Sequence, residues 1–252
     1  MPDASGPGRR DRDKLLGLLE GGLVVVVLTA PLPFGAVTVG GRAWLEILAL
    51  ALLGLWCVRA VRRPTVLPPR AVTAGLLGVV GLGLCQAIPL PDVVVSVLSP
   101  QAREIHRVAT PPAAIRRAEA ELLPSAEVEL DRAAALSVDP GLTASATRTG
   151  AALTGLLLIA TTVAATRGAR SIALALLGSA AFQSIYGLLV LVSGHDRIWQ
   201  VPKRYFLDSA TGTFVNRNHF AGLLAMSLAC GLALILASVE RPGGNRRPGR
   251  RW

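Results

Sequence analysis

The sequence predicts an all-α, polytopic integral membrane protein, with about six transmembrane helices and a partly helical extracytoplasmic loop. Three observations carry this reading. Of 252 residues, 52% are hydrophobic and only 17% charged, against about 25% charged in a soluble domain, and the mean hydropathy is +0.51. The apolar residues gather into runs of the ~20 residues that a hydrocarbon core of about 30 Å requires. The basic residues, 24 of 26 of them Arg, lie between these runs and line no single face. The net charge of +10 therefore reads as membrane topology and not as a nucleic-acid surface.

In chain order, a polar, basic N-terminus (1–14) precedes the first run, Leu15–Phe34. No small-residue cleavage site follows that run, so it reads as an uncleaved span and not a signal peptide. The remaining spans are Ala43–Val61, Ala71–Ile88, Gly150–Thr166, Ser171–Val192 and Phe220–Val239. Spans one to three thus occupy 15–88, and spans four to six occupy 150–239. Glu20, Glu46 and Arg59 fall near helix ends, where they reach headgroups or, for the two acids, pair inside the bundle. With the N-terminus inside, the cytoplasmic pieces hold 15 Arg and Lys in 42 residues, and the outer pieces hold 11 in 94. This density difference places both termini, including the basic tail 240–252, in the cytoplasm.

The external loop, 89–149, opens on Pro89-Leu90-Pro91, which stops a helix. Val93, Val94, Val97, Leu98, Ile105 and Val108 then recur at helical spacing, as in a short helix lying on the outer leaflet. Thr110-Pro111-Pro112 breaks that helix, and the run AAIRRAEAELL that follows predicts another. Leu136–Thr143 reads as a turn, with Asp139 as cap or turn residue. His106, among Arg103, Glu104 and Arg107, reads as a solvated side chain. Cys57, Cys85 and Cys230 are odd in number and widely spaced inside apolar runs, so they build no zinc site or disulfide framework. No cofactor or metal is expected, and no phosphate-loop, zinc-protease or serine-hydrolase motif occurs.

The chemically informative stretch is 194–224. It gathers His195, Arg197, Lys203, Arg204, Arg217 and His219 with Trp199, Tyr205 and Phe206 at the outer membrane boundary. Arg forks and Lys suit an anionic head, and aromatic rings stack on sugars or anchor at the interface. On composition alone, an aromatic belt with ordinary loop charges fits as well.

Within this stretch, Gly212-Thr213-Phe214-Val215-Asn216-Arg217-Asn218-His219-Phe220-Ala221-Gly222-Leu223-Leu224 resembles the signature of the bacterial O-antigen ligase and O-antigen polymerase family. That signature is a Gly-x-Phe-x-Asn-x-Asn-x-x-Ala-x-x-Leu run at the outer end of a transmembrane helix. The Arg217-Asn218-His219 version looks like the exopolysaccharide-associated branch. Leu32-Pro33-Phe34-Gly35-Ala36, Ile88-Pro89-Leu90-Pro91 and Leu136-Ser137-Val138-Asp139-Pro140 agree with it, so the likeness runs over nearly all of the chain.

The resemblance implies transfer or polymerisation of an undecaprenyl-diphosphate-linked glycan onto a sugar or lipid-linked acceptor, without metal, at the outer face of the bacterial inner membrane. His219 and Arg217 are then the catalytic candidates. Lys203, Arg204, Arg217, Asn216, Asn218, Gly212 and Phe214 are the substrate-binding ones. Asn218 is expected to cap the sixth span, and its positive dipole end to favour pyrophosphate. Family members run on for further spans and a large external loop. The chain therefore resembles an N-terminal half, either a fragment or a protein completed by a second polypeptide. The competing expectation is a non-enzymatic scaffold or accessory subunit of polysaccharide export. A transporter is disfavoured because the middles of the spans carry no charge.

Overall fold

Prolines decide where the first helix stops. In the computed structural model, which describes residues 8–109 and 134–239, helix α1 runs Gly8–Thr29. Its chain then leaves through Pro31 and Pro33 into a 3-10 turn at Phe34–Ala36. Proline lacks the N–H needed to continue the ladder, so the first apolar run turns out of the helix five residues before its expected end at Phe34. The other helices are α2 (Val39–Arg62), α3 (Arg70–Ala87), α4 (Asp92–Leu98), α5 (Pro100–Ala109), α6 (Pro140–Arg167), α7 (Arg170–Val192) and α8 (Arg217–Val239). Two antiparallel pairs of two-residue strands complete the described structure: β1 (Pro89–Leu90) with β2 (Ala134–Ala135), and the hairpin of β3 (Arg197–Ile198) with β4 (Val201–Pro202). Both termini beyond these bounds, and the expected helix in 113–123 with its proline break, lie outside the described residues.

Five helices, α2, α3, α6, α7 and α8, are long and apolar enough to cross a membrane. The protein is an all-α polytopic membrane protein. The apolar part of α1, Leu15–Thr29, is about 22 Å long at 1.5 Å per residue and carries Glu20 within it. Its inward face is a helical stripe: Leu16, Leu19, Leu23 and Val26 are buried.

The chain divides into two compact units. The first takes residues up to Leu67 and from Gly155 onward. Its core joins the α1 stripe to Leu52 and Trp56 of α2 and to Leu158, Ile159 and Val163 of α6. Gly22 lets Leu52 lie directly on the α1 backbone, since a Cβ there would overlap the Leu52 side chain. The Trp56 indole donates to the Thr162 hydroxyl at 2.9 Å, so the largest core side chain keeps its one polar atom satisfied. Glu20 pairs with Arg167 at 2.9 Å, which is the intrabundle alternative and not a headgroup contact. Glu46 is buried as well. Helix α7 packs against both α1 and α8.

The second unit is Pro68–Thr154. Here α3 leads into β1, whose pairing with β2 (Pro89 opposite Ala135, Leu90 opposite Ala134) closes the described part of the 89–149 loop. The Ser137 N–H donates to the Gln86 carbonyl at 3.0 Å. His106 is not solvated as its neighbours suggested. Its Nε2 lies 3.2 and 2.9 Å from the carbonyls of Ala135 and Ser137, so that nitrogen carries the proton and ties α5 to β2. Helix α6 starts at Pro140 and not at Gly150. Asp139 caps it by accepting the Leu142 N–H at 2.8 Å, with proline at the first helical position, where no N–H is missed. The polar start of α6 stays helical because Thr147 and Thr149 return their hydroxyls to carbonyls one turn back.

Candidate functional site

The site predicted at 194–224 forms in the first unit, where the end of α1, the middle of α7, the 193–216 loop and the start of α8 meet. Helix α7 ends at Val192, and Gly194, at φ 65°, reverses the chain. The β3–β4 hairpin follows, and Lys203 then turns inward. Its ammonium donates to the Ser209 carbonyl at 2.8 Å and stands 3.8 Å from the Asp196 carboxylate, with its side chain 3% exposed. Asp196 also accepts the Asp208 N–H. Lys203, expected among the substrate-binding cations, is thus withdrawn into the loop, where it neutralises Asp196 and holds the turn.

Gly212, Thr213 and Phe214 are buried. Gly212 has φ 56°, and a Cβ on it would meet the Gln183 side chain and Phe220. Only glycine takes both the left-handed backbone and the close approach without cost. Thr213 is the polar centre of the site. Its N–H donates to Gln183 Oε1 at 2.7 Å, its hydroxyl accepts from Gln183 Nε2 at 2.9 Å, and the same hydroxyl donates to the Pro31 carbonyl at 2.6 Å. Phe214 packs with Ala180, Phe220 and Leu223, and its ring lies where a Cβ on Gly35 would be. Two segments that share in the family resemblance, 32–36 and 212–224, therefore meet in space. Gly212 and Phe214 act as the seat of the loop, beneath its surface.

Gln183 is the residue that sequence reasoning missed. It is 0% exposed and sits in the middle of an apolar helix. The readable signal was a long polar amide inside the run Ala181-Phe182-Gln183-Ser184, which in a span requires an internal partner.

Backbone strain concentrates at the same place. Among the described residues, the non-glycine residues with positive φ are Phe34, Ala36, Trp199, Phe206 and Asp208, and all lie in the turn after α1 or in the 193–216 loop. Trp199, at φ 54°, is held by a 2.6 Å bond from its N–H to the Tyr186 hydroxyl and a 3.0 Å bond from its indole N–H to the Leu32 carbonyl. Its ring stands 5.0 Å from that of Tyr186.

The start of α8 departs from the expected cap. The helix begins at Arg217, and Asn216, not Asn218, caps it: the Asn216 side-chain oxygen accepts the Asn218 N–H at 2.8 Å. The Asn216 carbonyl accepts from the His219 and Phe220 amides. Asn218 occupies the first turn with its side chain exposed, beside exposed Arg217 and His219. The Arg217 guanidinium lies 5.3 Å from the Phe206 ring centre, a cation–π distance. Arg204, two residues before Phe206, is exposed. Neither arginine has a carboxylate within ion-pair distance among the described residues, and Asp196 on the same loop is engaged by Lys203. Among the described residues no group of three His, Cys, Asp or Glu side chains could hold a metal, and the three cysteines are unpaired.

No protein-family profile, curated protein or solved structure matches the chain. Fold and site together define its class, a polytopic helical membrane protein with a strained, polar-clamped loop seated at one end of its bundle.

Proposed function

We propose that the protein handles an undecaprenyl-diphosphate-linked glycan at the outer face of the bacterial inner membrane, as a ligase or polymerase of envelope polysaccharide. In this reading α1 crosses with the five longer helices and both termini are cytoplasmic. The higher density of Arg and Lys in the segments that this topology puts inside supports it.

The observation that carries the proposal is Arg217. It is the first residue of α8, exposed, braced on Phe206 and unmatched by a described carboxylate. A guanidinium fork at the positive end of a helix dipole suits a diphosphate oxygen pair, and Arg204 on the same loop supplies a second cation. In the reaction, an acceptor hydroxyl attacks the anomeric carbon while the carbon–oxygen bond to the diphosphate breaks. Cations stabilise the leaving charge, and His219 takes the hydroxyl proton.

The test is binding of undecaprenyl diphosphate to the protein in nanodiscs. Arg204→Ala/Arg217→Ala should weaken binding at least tenfold, a loss of about 1.4 kcal/mol, with thermal stability retained. Arg217→Lys should recover part of it, keeping charge without the fork. Unchanged affinity in a folded double variant refutes the proposal and leaves a scaffold role.

A further inference from the structure

The outer-leaflet helix expected over 93–108 is two helices with different surfaces. Helix α4 carries most of the apolar exposure: Val93 is 74% exposed, Val97 76% and Leu98 64%, although Val95 between them is fully buried. Val93 and Val97 share one face by their spacing, with Val94 and Leu98 alongside. Helix α5 also exposes Ile105 and Val108, but it carries most of the charge of the segment. Its Arg103 donates to Asp92 at the start of α4 (Nε to Oδ1 2.9 Å), and its Arg107 pairs with Glu104 at 2.7 Å. The four charges form two matched pairs, so this surface carries no net charge of its own from them.

Chain geometry restricts what can cover α4. Helix α3 has 18 residues, about 27 Å at 1.5 Å per residue, so a crossing α3 has no length to spare beyond a core of about 30 Å. Only residues 88–91 separate its end from Asp92, a reach of about 17 Å when fully extended. On the other side, β2 returns the chain beside β1 and hands it to α6, another apolar helix. Both ends of the α4–α5 segment are thus tied to membrane-spanning helices. Its exposed valines lie within reach of the bilayer surface that those helices define.

We propose that α4 is a lipid-contacting surface, with Val93, Val97 and Leu98 inserted at the boundary between acyl chains and headgroups. The Asp92–Arg103 and Glu104–Arg107 pairs face the aqueous side. Because those charges are paired with each other, insertion rests on apolar area and does not require anionic lipid. This holds whether or not the site on α8 binds a glycan.

The experiment uses the full chain in phosphatidylcholine nanodiscs. Cys57, Cys85 and Cys230 are replaced by alanine, and an environment-sensitive fluorophore is placed on Val97→Cys or, separately, on Glu104→Cys. The label at 97 should be quenched by nitroxides on the lipid acyl chains and shielded from aqueous iodide several-fold better than the label at 104. Adding phosphatidylglycerol should leave that contrast unchanged. Equal iodide access at the two positions overturns the proposal. Shielding at 97 without lipid-nitroxide quenching also overturns it, because a protein partner or a second copy then covers α4. A contrast that appears only with phosphatidylglycerol overturns the apolar basis of insertion.

Discussion

The side-chain amide of Gln183 meets Thr213 at both ends, accepting its backbone N–H at 2.7 Å and donating to its hydroxyl at 2.9 Å. Both residues are fully buried, so the loop that seats the candidate site is fastened to the middle of α7 by one side chain. An unmade hydrogen bond is expensive in such surroundings, while a made one contributes modestly.

Gln183→Leu should therefore destabilise the protein by about 1–3 kcal/mol, the cost of leaving a buried amide N–H unpaired. Thr213→Val, which loses the bond to Pro31 as well, should cost a similar amount. The double variant should cost less than the sum, with a coupling of about 0.5–3 kcal/mol. Unfolding in mild detergent measures all three, and strict additivity would show that the clamp contributes nothing as a unit.

Capping separates the two asparagines of the motif. Asn216→Ala should cost about 0.5–2 kcal/mol, and Asn216→Asp should retain most of the stability, because a carboxylate still accepts the Asn218 N–H. Asn218→Ala, at an exposed position in the first turn, should lie within about 0.5 kcal/mol of the parent. A larger loss at 218 than at 216 contradicts the assignment of the cap.

The α4–α5 pairs should respond to acid and not to base. The hydrogen bond from Arg103, and then its charge, hold the Asp92 carboxyl below the usual range, and Arg107 does the same for Glu104. Carboxyls lowered in the folded state contribute stability that is fully present above their ordinary values of about 4 and is lost as pH falls through the folded ones. Nitroxide labels at Val97 and Val108 should give one narrow distance distribution from pH 5 to 9, as expected of groups ionised throughout that window. Broadening should appear only below about pH 4. An Arg103→Met/Arg107→Met variant should lose that acid transition, and broadening between pH 6 and 8 would implicate some other group.

Orientation is testable at two exposed positions. With Cys57, Cys85 and Cys230 replaced, a membrane-impermeant maleimide added from the periplasm should modify Tyr205→Cys and spare Pro64→Cys until the membrane is permeabilised. The reverse pattern would place the α8 site in the cytoplasm, where an outer-face glycan could not reach it.

The apolar runs located the five long helices well because hydropathy reports directly on lipid-facing surface. Ser171–Val192 became Arg170–Val192, and Ala71–Ile88 became Arg70–Ala87. The same signal was blind to the first turns of α6, where Thr143, Thr147 and Thr149 satisfy their hydroxyls in ways that no hydropathy average registers. The candidate site was legible as a place and less so as an arrangement. Residue types at 212–219 pointed to a helix start, yet which asparagine capped it depended on where the first helical turn fell. Lys203 looked like a surface cation until Asp196 and the Ser209 carbonyl, close only after the hairpin folds, enclosed it.

The hydroxyl of Thr213 and the carbonyl of Pro31 are 182 positions apart in sequence. A chain made from its N-terminus completes α1 and the Pro31 turn long before Thr213 has been synthesised. Over that interval the Pro31 carbonyl keeps its local bond from the Gly35 N–H, at 2.9 Å, and lacks only the second one from Thr213. Closing so long a loop is the slow part of assembling non-local structure, so the two halves of the site come together only after α7 has been inserted. The site therefore matures only after α7 has been made, and until then α1 lacks the helix it packs against.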